Sequence, residues 1–196
     1  MNITEKQIED MLCKLSKGQL TLFAISCVDR VLHICEMLER HKGKLPQNRG
    51  YNSICSVLSF IKVDINFSDR DRIKSNIDKC NSILNYLDDL DDDWFPVICI
   101  IQSIIGILNF HLQEGISNIY ACKENNLEVI NQLKSDEYVN TINLKATDKE
   151  LHEYLQTFFD EELLIEYNSI KLVENHSSQK DMEEFSKRNK LNISIY

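Results

Sequence analysis

Apolar residues along this chain recur at intervals of three and four, the period of amphipathic helices, almost from end to end. Ile8, Met11, Leu12 and Leu15 form the first stripe. Thr4 with Gln7 has the spacing of a capping box, so a helix is predicted over 4–15. A second is predicted from Gly18 to His41, where Leu22, Phe23, Ile25, Val28, Val31, Leu32, Cys35 and Leu38 cover more than one face and mark burial. Gly43, Pro46 and Gly50 make 42–50 a loop. Helices follow over 51–61, over 69–87 behind a Ser68 cap, and over 93–113 behind an Asp93 cap. Pro96 falls in the first turn of the last of these, where its missing N–H costs little.

Gly115 is expected to end that helix, and 116–134 forms the next. After a polar stretch over 136–145, Thr147 and Glu150 repeat the capping-box spacing and open a helix over 147–173. Ser177 or Ser178 caps a short final helix ending near Asn189. The last residues, Leu191-Asn192-Ile193-Ser194-Ile195-Tyr196, alternate apolar and polar positions. One strand has no ladder partner here, so they are expected to form an extended tail packed on the helices.

Eight helices, no internal repeat and no flexible linker predict a single all-α domain around a buried central apolar helix. With 5 Gly and 2 Pro in 196 residues, turn-rich sandwiches and barrels are improbable, as are glycine-loop nucleotide folds. The central helix invites another reading, because Trp94 to Gln113 carries no charge and is about as long as a bilayer is thick. It also contains Gln102, Ser103, Asn109 and His111, lies behind an acidic flank, and has no nearby Lys or Arg to set an orientation. It is therefore assigned to the protein interior rather than to a membrane. The first seventeen residues show no basic segment leading into an apolar one, so a cytoplasmic location is expected. Cys13, Cys27, Cys35, Cys55, Cys80, Cys99 and Cys122 are odd in number and irregularly spaced, as reduced core thiols would be.

No motif supplies chemistry. A di-iron bundle needs Glu-x-x-His, which does not occur. The run Asp88, Asp89, Asp91, Asp92 and Asp93 resembles a calcium loop only superficially. Counting from Asp88, the sixth position is Asp93 instead of Gly and the twelfth is Cys99 instead of Glu. Gly-x-Ser-x-Gly, His-Glu-x-x-His and a phosphate-cradling loop are all missing, so no catalytic residue, metal or cofactor is assigned. His111 is expected to be a hydrogen-bonded, partly buried side chain. Arg30, inside an apolar helix, needs a buried carboxylate and is expected to tie helices together.

Charge is more informative. Lys plus Arg number 22 and Asp plus Glu 31, a net of -9. Between Asp136 and Glu184 there are 13 acidic and 4 basic residues, so this segment in the last third of the chain holds the whole excess. Glu153, Asp160, Glu161, Glu162 and Glu166 are read as one negative face, with the 88–93 aspartates adding to it. Such a field speeds encounter with a basic protein and repels nucleic acid. Reversing Asp160, Glu161 and Glu162 together is expected to weaken that encounter.

The run Leu15-Ser16-Lys17-Gly18-Gln19-Leu20-Thr21-Leu22-Phe23 leads into the helix bearing Asp29-Arg30. Asn66-Phe67-Ser68, Trp94-Phe95-Pro96 and a closing Asn192-Ile193-Ser194-Ile195 follow in order. In order and spacing this resembles the YjaG family of bacterial helical proteins over roughly residues 10 to 196. The resemblance implies an all-α, cytoplasmic bacterial protein, and it brings no agreed catalytic residues. Three functions remain in view. One is an immunity-type inhibitor that neutralises a basic toxin such as a nuclease. The second is a housekeeping YjaG-like protein acting through self-association or an internal regulatory partner. An enzyme with an unrecognised site is the third, and lacks any complete constellation.

Overall fold

Four helices start on reciprocal side-chain caps. Thr4 with Gln7 opens α1 (Glu5–Leu12), and Ser16 with Gln19 opens α2 (Lys17–Val31). The chain then forms α3 (His33–Lys42), α4 (Tyr51–Val63), α5 (Arg70–Leu87), α6 (Phe95–Gln113) and α7 (Ser117–Glu137). Thr147 with Glu150 opens α8 (Asp148–Glu174), and Ser178 with Asp181 opens α9 (Gln179–Arg188). In each box the cap oxygen accepts a third-residue N–H while that residue's side chain accepts the cap N–H, which satisfies otherwise orphaned donors. This computed structural model describes residues 3–43, 45–46, 49–64, 67–90, 92–143, 145–175 and 178–193.

One apolar cluster runs through all of these helices, with Met182 as the contribution of α9, so the chain is a single all-α domain. At its centre lies α6, with Val97, Ile100, Ile101, Ile104, Ile107 and Leu108 buried. It packs most closely on α7 and also meets α2, α3, α4 and α5. Though long and apolar enough to cross a membrane, α6 is mostly buried inside the domain. Gly106 sets its approach to α7: a Cβ there would lie 2.9 Å from the Asn118 carbonyl oxygen and 3.0 Å from Cys122 Sγ. Backbone cannot yield as a flexible side chain can. Gly106→Ala is therefore expected to lower stability by about 1–3 kcal/mol in urea melts, despite the better helix propensity of alanine.

Several boundaries differ from the pattern-based expectation. Asp69, not Ser68, caps α5. Asp93 caps nothing; a 3-10 turn, Asp92–Trp94, precedes α6, and the Asp93 carboxylate pairs with Lys42. Glu114, not Gly115, takes the left-handed conformation (φ 56°) that closes α6, and its carboxylate meets Lys17 at 2.8 Å. A π-helical turn, Tyr138–Ile142, extends α7 into the stretch expected to be a polar loop.

The long helix expected over 18–41 is broken at Leu32, which raises the number of α-helices among the described residues to nine. The break falls where the Arg30 carbonyl accepts the Leu191 N–H at 3.3 Å. There the C-terminal segment is clamped: Arg30 Nε donates to the Asn189 carbonyl (2.9 Å) and Lys134 Nζ to that of Asn192 (2.8 Å). His33 Nε2 completes the clamp, 3.1 Å from the Leu191 carbonyl. Ile193 is buried, so the tail is packed on the helices as far as residue 193, and Ser194, Ile195 and Tyr196 lie outside the described residues.

Candidate interaction surface

Helix α8 changes character along its length. In its C-terminal half Leu163, Ile170 and Val173 enter the core, and Glu162 and Glu166 lie one turn apart on the same inward side. Both carboxylates are buried, so the expectation that they present a negative exterior is corrected. Glu162 receives a two-pronged grip from Arg30, with Nη1 at 2.5 Å and Nη2 at 2.6 Å. Asn126 Nδ2 adds a third donor at 2.9 Å. Arg30 thus ties α2 to α8, the role expected of a charge inside an apolar helix. Three donors and a fixed fork give the pair the satisfaction that burial demands.

Glu166 has no such partner. Its Oε2 is buried without a hydrogen bond, as is Asn126 Oδ1. Burial, reinforced by the neighbouring Glu162 charge, pushes its carboxyl up to about 8, while Lys123 and Arg30 oppose the shift only in part. Lys123, itself buried on α7, pairs with Glu124 at 3.0 Å and reaches Glu5 at 3.7 Å. Polarity here serves assembly, because the buried charges face neighbouring helices.

The N-terminal half of α8 is different. Among the described residues between Lys134 and Glu162 none is buried, although the stretch holds Tyr138, Val139, Ile142, Leu151, Tyr154, Leu155, Phe158 and Phe159. The end of α7, the π-helical turn and the start of α8 form a two-helix arm that meets the core at its base, where Phe159 packs on it. From Asp148 to Glu161 at 1.5 Å per residue it extends about 20 Å. Stacking of Tyr138 on Tyr154 (4.5 Å between centroids) joins its two sides, and along α8 Tyr154 makes an edge contact with Phe158. At its base Lys134 lies over the Phe158 ring and pairs with Glu137 at 2.6 Å. At its tip Val139 and Ile142 are 39% and 59% exposed, more than an apolar side chain inside a packed domain would be.

Of the acids read as an outer face, Glu153, Asp160 and Glu161 are indeed exposed, and all three lie on this arm. Asp88 and Asp89 are exposed at the end of α5, Asp93 is engaged by Lys42, and Asp91 and the Asp92 side chain lie outside the described residues. The chief packing partners of α8 are α1, α2, α7 and α9, whereas α5 packs on α6 and α4. The acidic loop and the acidic arm therefore share no main helix interface and form two separate negative regions.

Elsewhere, His33 Nδ1 and Arg49 Nε are also buried without a hydrogen bond, whereas His111 and Asp29 are engaged. His111 Nδ1 faces the Phe67 carbonyl at 3.1 Å and so carries the ring proton, while Nε2 sits 2.9 Å from Thr21 Oγ1. Burial, aided by Lys17, lowers it to about 4, so the ring is neutral at physiological pH. Asp29 pairs with Lys62 at 2.7 Å. Burial pushes Cys80 and Cys122 up to about 12 and Cys99 to about 11, which removes thiolate reactivity from these positions. Among the described residues no three His, Cys, Asp or Glu side chains converge as a metal site would require. A cleft of about 350 Å³ at the base of the arm is lined by Arg30, Lys134, Phe158, Glu162 and Asn192. Arg30 and Lys134 are already committed there to Glu162, Glu137 and the tail carbonyls.

Helical register alone carries a signal for the two inward glutamates. Glu162 and Glu166 fall on the same stripe as Ile170 and Val173, so an α8 packed by those residues carries the glutamates inward too. Comparison with family models, with curated proteins and with solved structures finds no match to this chain.

Proposed function

We propose that this protein acts by binding rather than by chemistry: an acidic, YjaG-like helical domain that neutralises a basic protein, as an immunity protein neutralises a nuclease toxin. The observation that carries the reading is the concentration of exposed acid on the arm. Residues 135–161 hold seven acidic and two basic side chains, a net of -5. A nuclease has to be electropositive to hold phosphates, and an inhibitor that opposes it gains encounter rate from the opposite sign. The same field disfavours nucleic acid as the partner. A cytoplasmic protein meeting a toxin inside the cell fits this role, as does an interior whose charges are spent on holding helices together.

Glu162 belongs to the core, so the test of this reading uses Glu153, Asp160 and Glu161, whose reversal leaves the fold intact. The purified protein is titrated with the basic proteins encoded beside it. A complex is expected whose association slows with added salt, and Glu153→Lys, Asp160→Lys and Glu161→Lys together are expected to slow it by about tenfold or more. Association unaffected both by salt and by the triple reversal rejects the electrostatic account.

A further inference from the structure

Acidity explains steering but not residence, since charges at a solvated rim contribute mainly to the rate of encounter. Lasting contact needs apolar surface removed from water. The arm that carries the exposed acids also offers it. Val139 and Ile142 stand exposed at the tip, and Leu151, Tyr154, Leu155 and Phe158 are half-buried behind them, outside the group of side chains packed on the core. A helix pair that buries none of its described residues over this length gains little stability from its own folding. An apolar tip on a solvated projection is therefore a feature that folding alone does not call for.

Charge decides what fits it. A second copy of the chain would bring another -5 arm against the first, and an anionic membrane surface is repelled in the same way. A basic protein is attracted. We infer that the arm over 135–161 is the docking element of this protein, and that its occupant is a basic protein with an apolar recess that receives Val139 and Ile142. The inference rests on the binding reading above and adds to it the site and the division of labour: Glu153, Asp160 and Glu161 set the association rate, and the tip sets the dissociation rate.

The experiment places a photo-crosslinking benzoylphenylalanine at Ile142 on the arm or at Val63 at the end of α4, which is 87% exposed and far along the chain. Both variants are made in cells that naturally produce the protein, and adducts are identified by mass spectrometry. The Ile142 position is expected to capture a basic protein and the Val63 position is not. With that protein purified, Val139→Ser together with Ile142→Ser is expected to speed dissociation about tenfold while association changes less than about twofold. Unchanged helical circular dichroism and melting temperature show that the variant is folded. Capture from Val63 and not from Ile142 overturns the arm as the docking element while a binding role stands. Capture from Ile142 of a second copy, or of an acidic protein, overturns the occupant. No adduct at either position, with no complex in native extracts, rejects the binding reading itself and this inference with it.

Discussion

Arg30→Ala is expected to destabilise the domain by about 3–5 kcal/mol, and Glu162→Ala by a similar amount. Each substitution strands the other charge among α2, α7 and α8, where Glu162 also holds Asn126 and Arg30 also holds the Asn189 carbonyl. Domains of this size are stable by only about 5–15 kcal/mol, so either loss is a large fraction of the total. The attraction between two buried charges is largely cancelled by the cost of drying them, so most of the expected loss comes from the orphaned partner. Replacing both together, Arg30→Met with Glu162→Leu, is accordingly expected to recover at least about half of the loss that Arg30→Met or Glu162→Leu causes alone, with a strong non-additive term in the double-mutant cycle of wild type, these two singles and the double. Urea denaturation of the four proteins measures this. A loss below about 1 kcal/mol for Arg30→Ala contradicts the role given to the pair.

The second large effect concerns acidity. Glu166 keeps its proton in the folded protein up to about pH 8, because burial and the charge of Glu162 outweigh Lys123 and Arg30, with Glu124 on the same side as Glu162. An unfolded glutamate, with an ordinary value of 4.5, releases it much earlier. Between those two values the folded state binds more protons than the unfolded one, so stability falls as pH rises, by about 1.4 kcal/mol per unit at most from this group. Below the lower value both states are protonated and the contribution is flat. Glu166→Gln, which fixes the neutral form, is expected to be close to the wild type near the lower limit and more stable by about 4 kcal/mol near the upper. Asp29, raised by burial, adds a slope of the same sign in both proteins, and His33 and His111, lowered to about 4 by burial, add the opposite slope up to their ordinary range, so the difference between the two proteins isolates Glu166. Denaturation midpoints for the two proteins across this range decide the matter. Parallel curves would show Glu166 ionised in the fold.

Local signals in the sequence are reliable where local chemistry decides the outcome. Thr4 with Gln7 and Thr147 with Glu150 are short-range arrangements, and both cap as their spacing predicts. Ser16 with Gln19 is an equally local box, and a helix start placed at Gly18 overlooks it. The central apolar helix is legible because its composition leaves no face for solvent. Anything set by distant chain is not. Leu32 interrupts a run with good helical periodicity at a point where the chain meets Leu191 and Asn189, roughly 160 residues away. Charge patterning alone places five α8 acids on one exterior, but Glu162 and Glu166 point toward Arg30 and Lys123, which only packing brings near. The surviving exterior, Glu153, Asp160 and Glu161, lies on the stretch of α8 in which no described residue is fully buried.

The clamp on the C-terminal segment has a consequence for how the chain is made. Arg30 emerges from the ribosome when Glu162 and the carbonyl of Asn189 do not yet exist, and its guanidinium must stay hydrated through most of synthesis. The contacts that end that wait join residues more than a hundred positions apart, the kind of closure that is entropically slow. Until then α2 has an unfilled polar slot within an otherwise apolar surface, a state in which nascent chains are vulnerable to chaperone capture and premature aggregation. The helices made first must therefore wait for those made last.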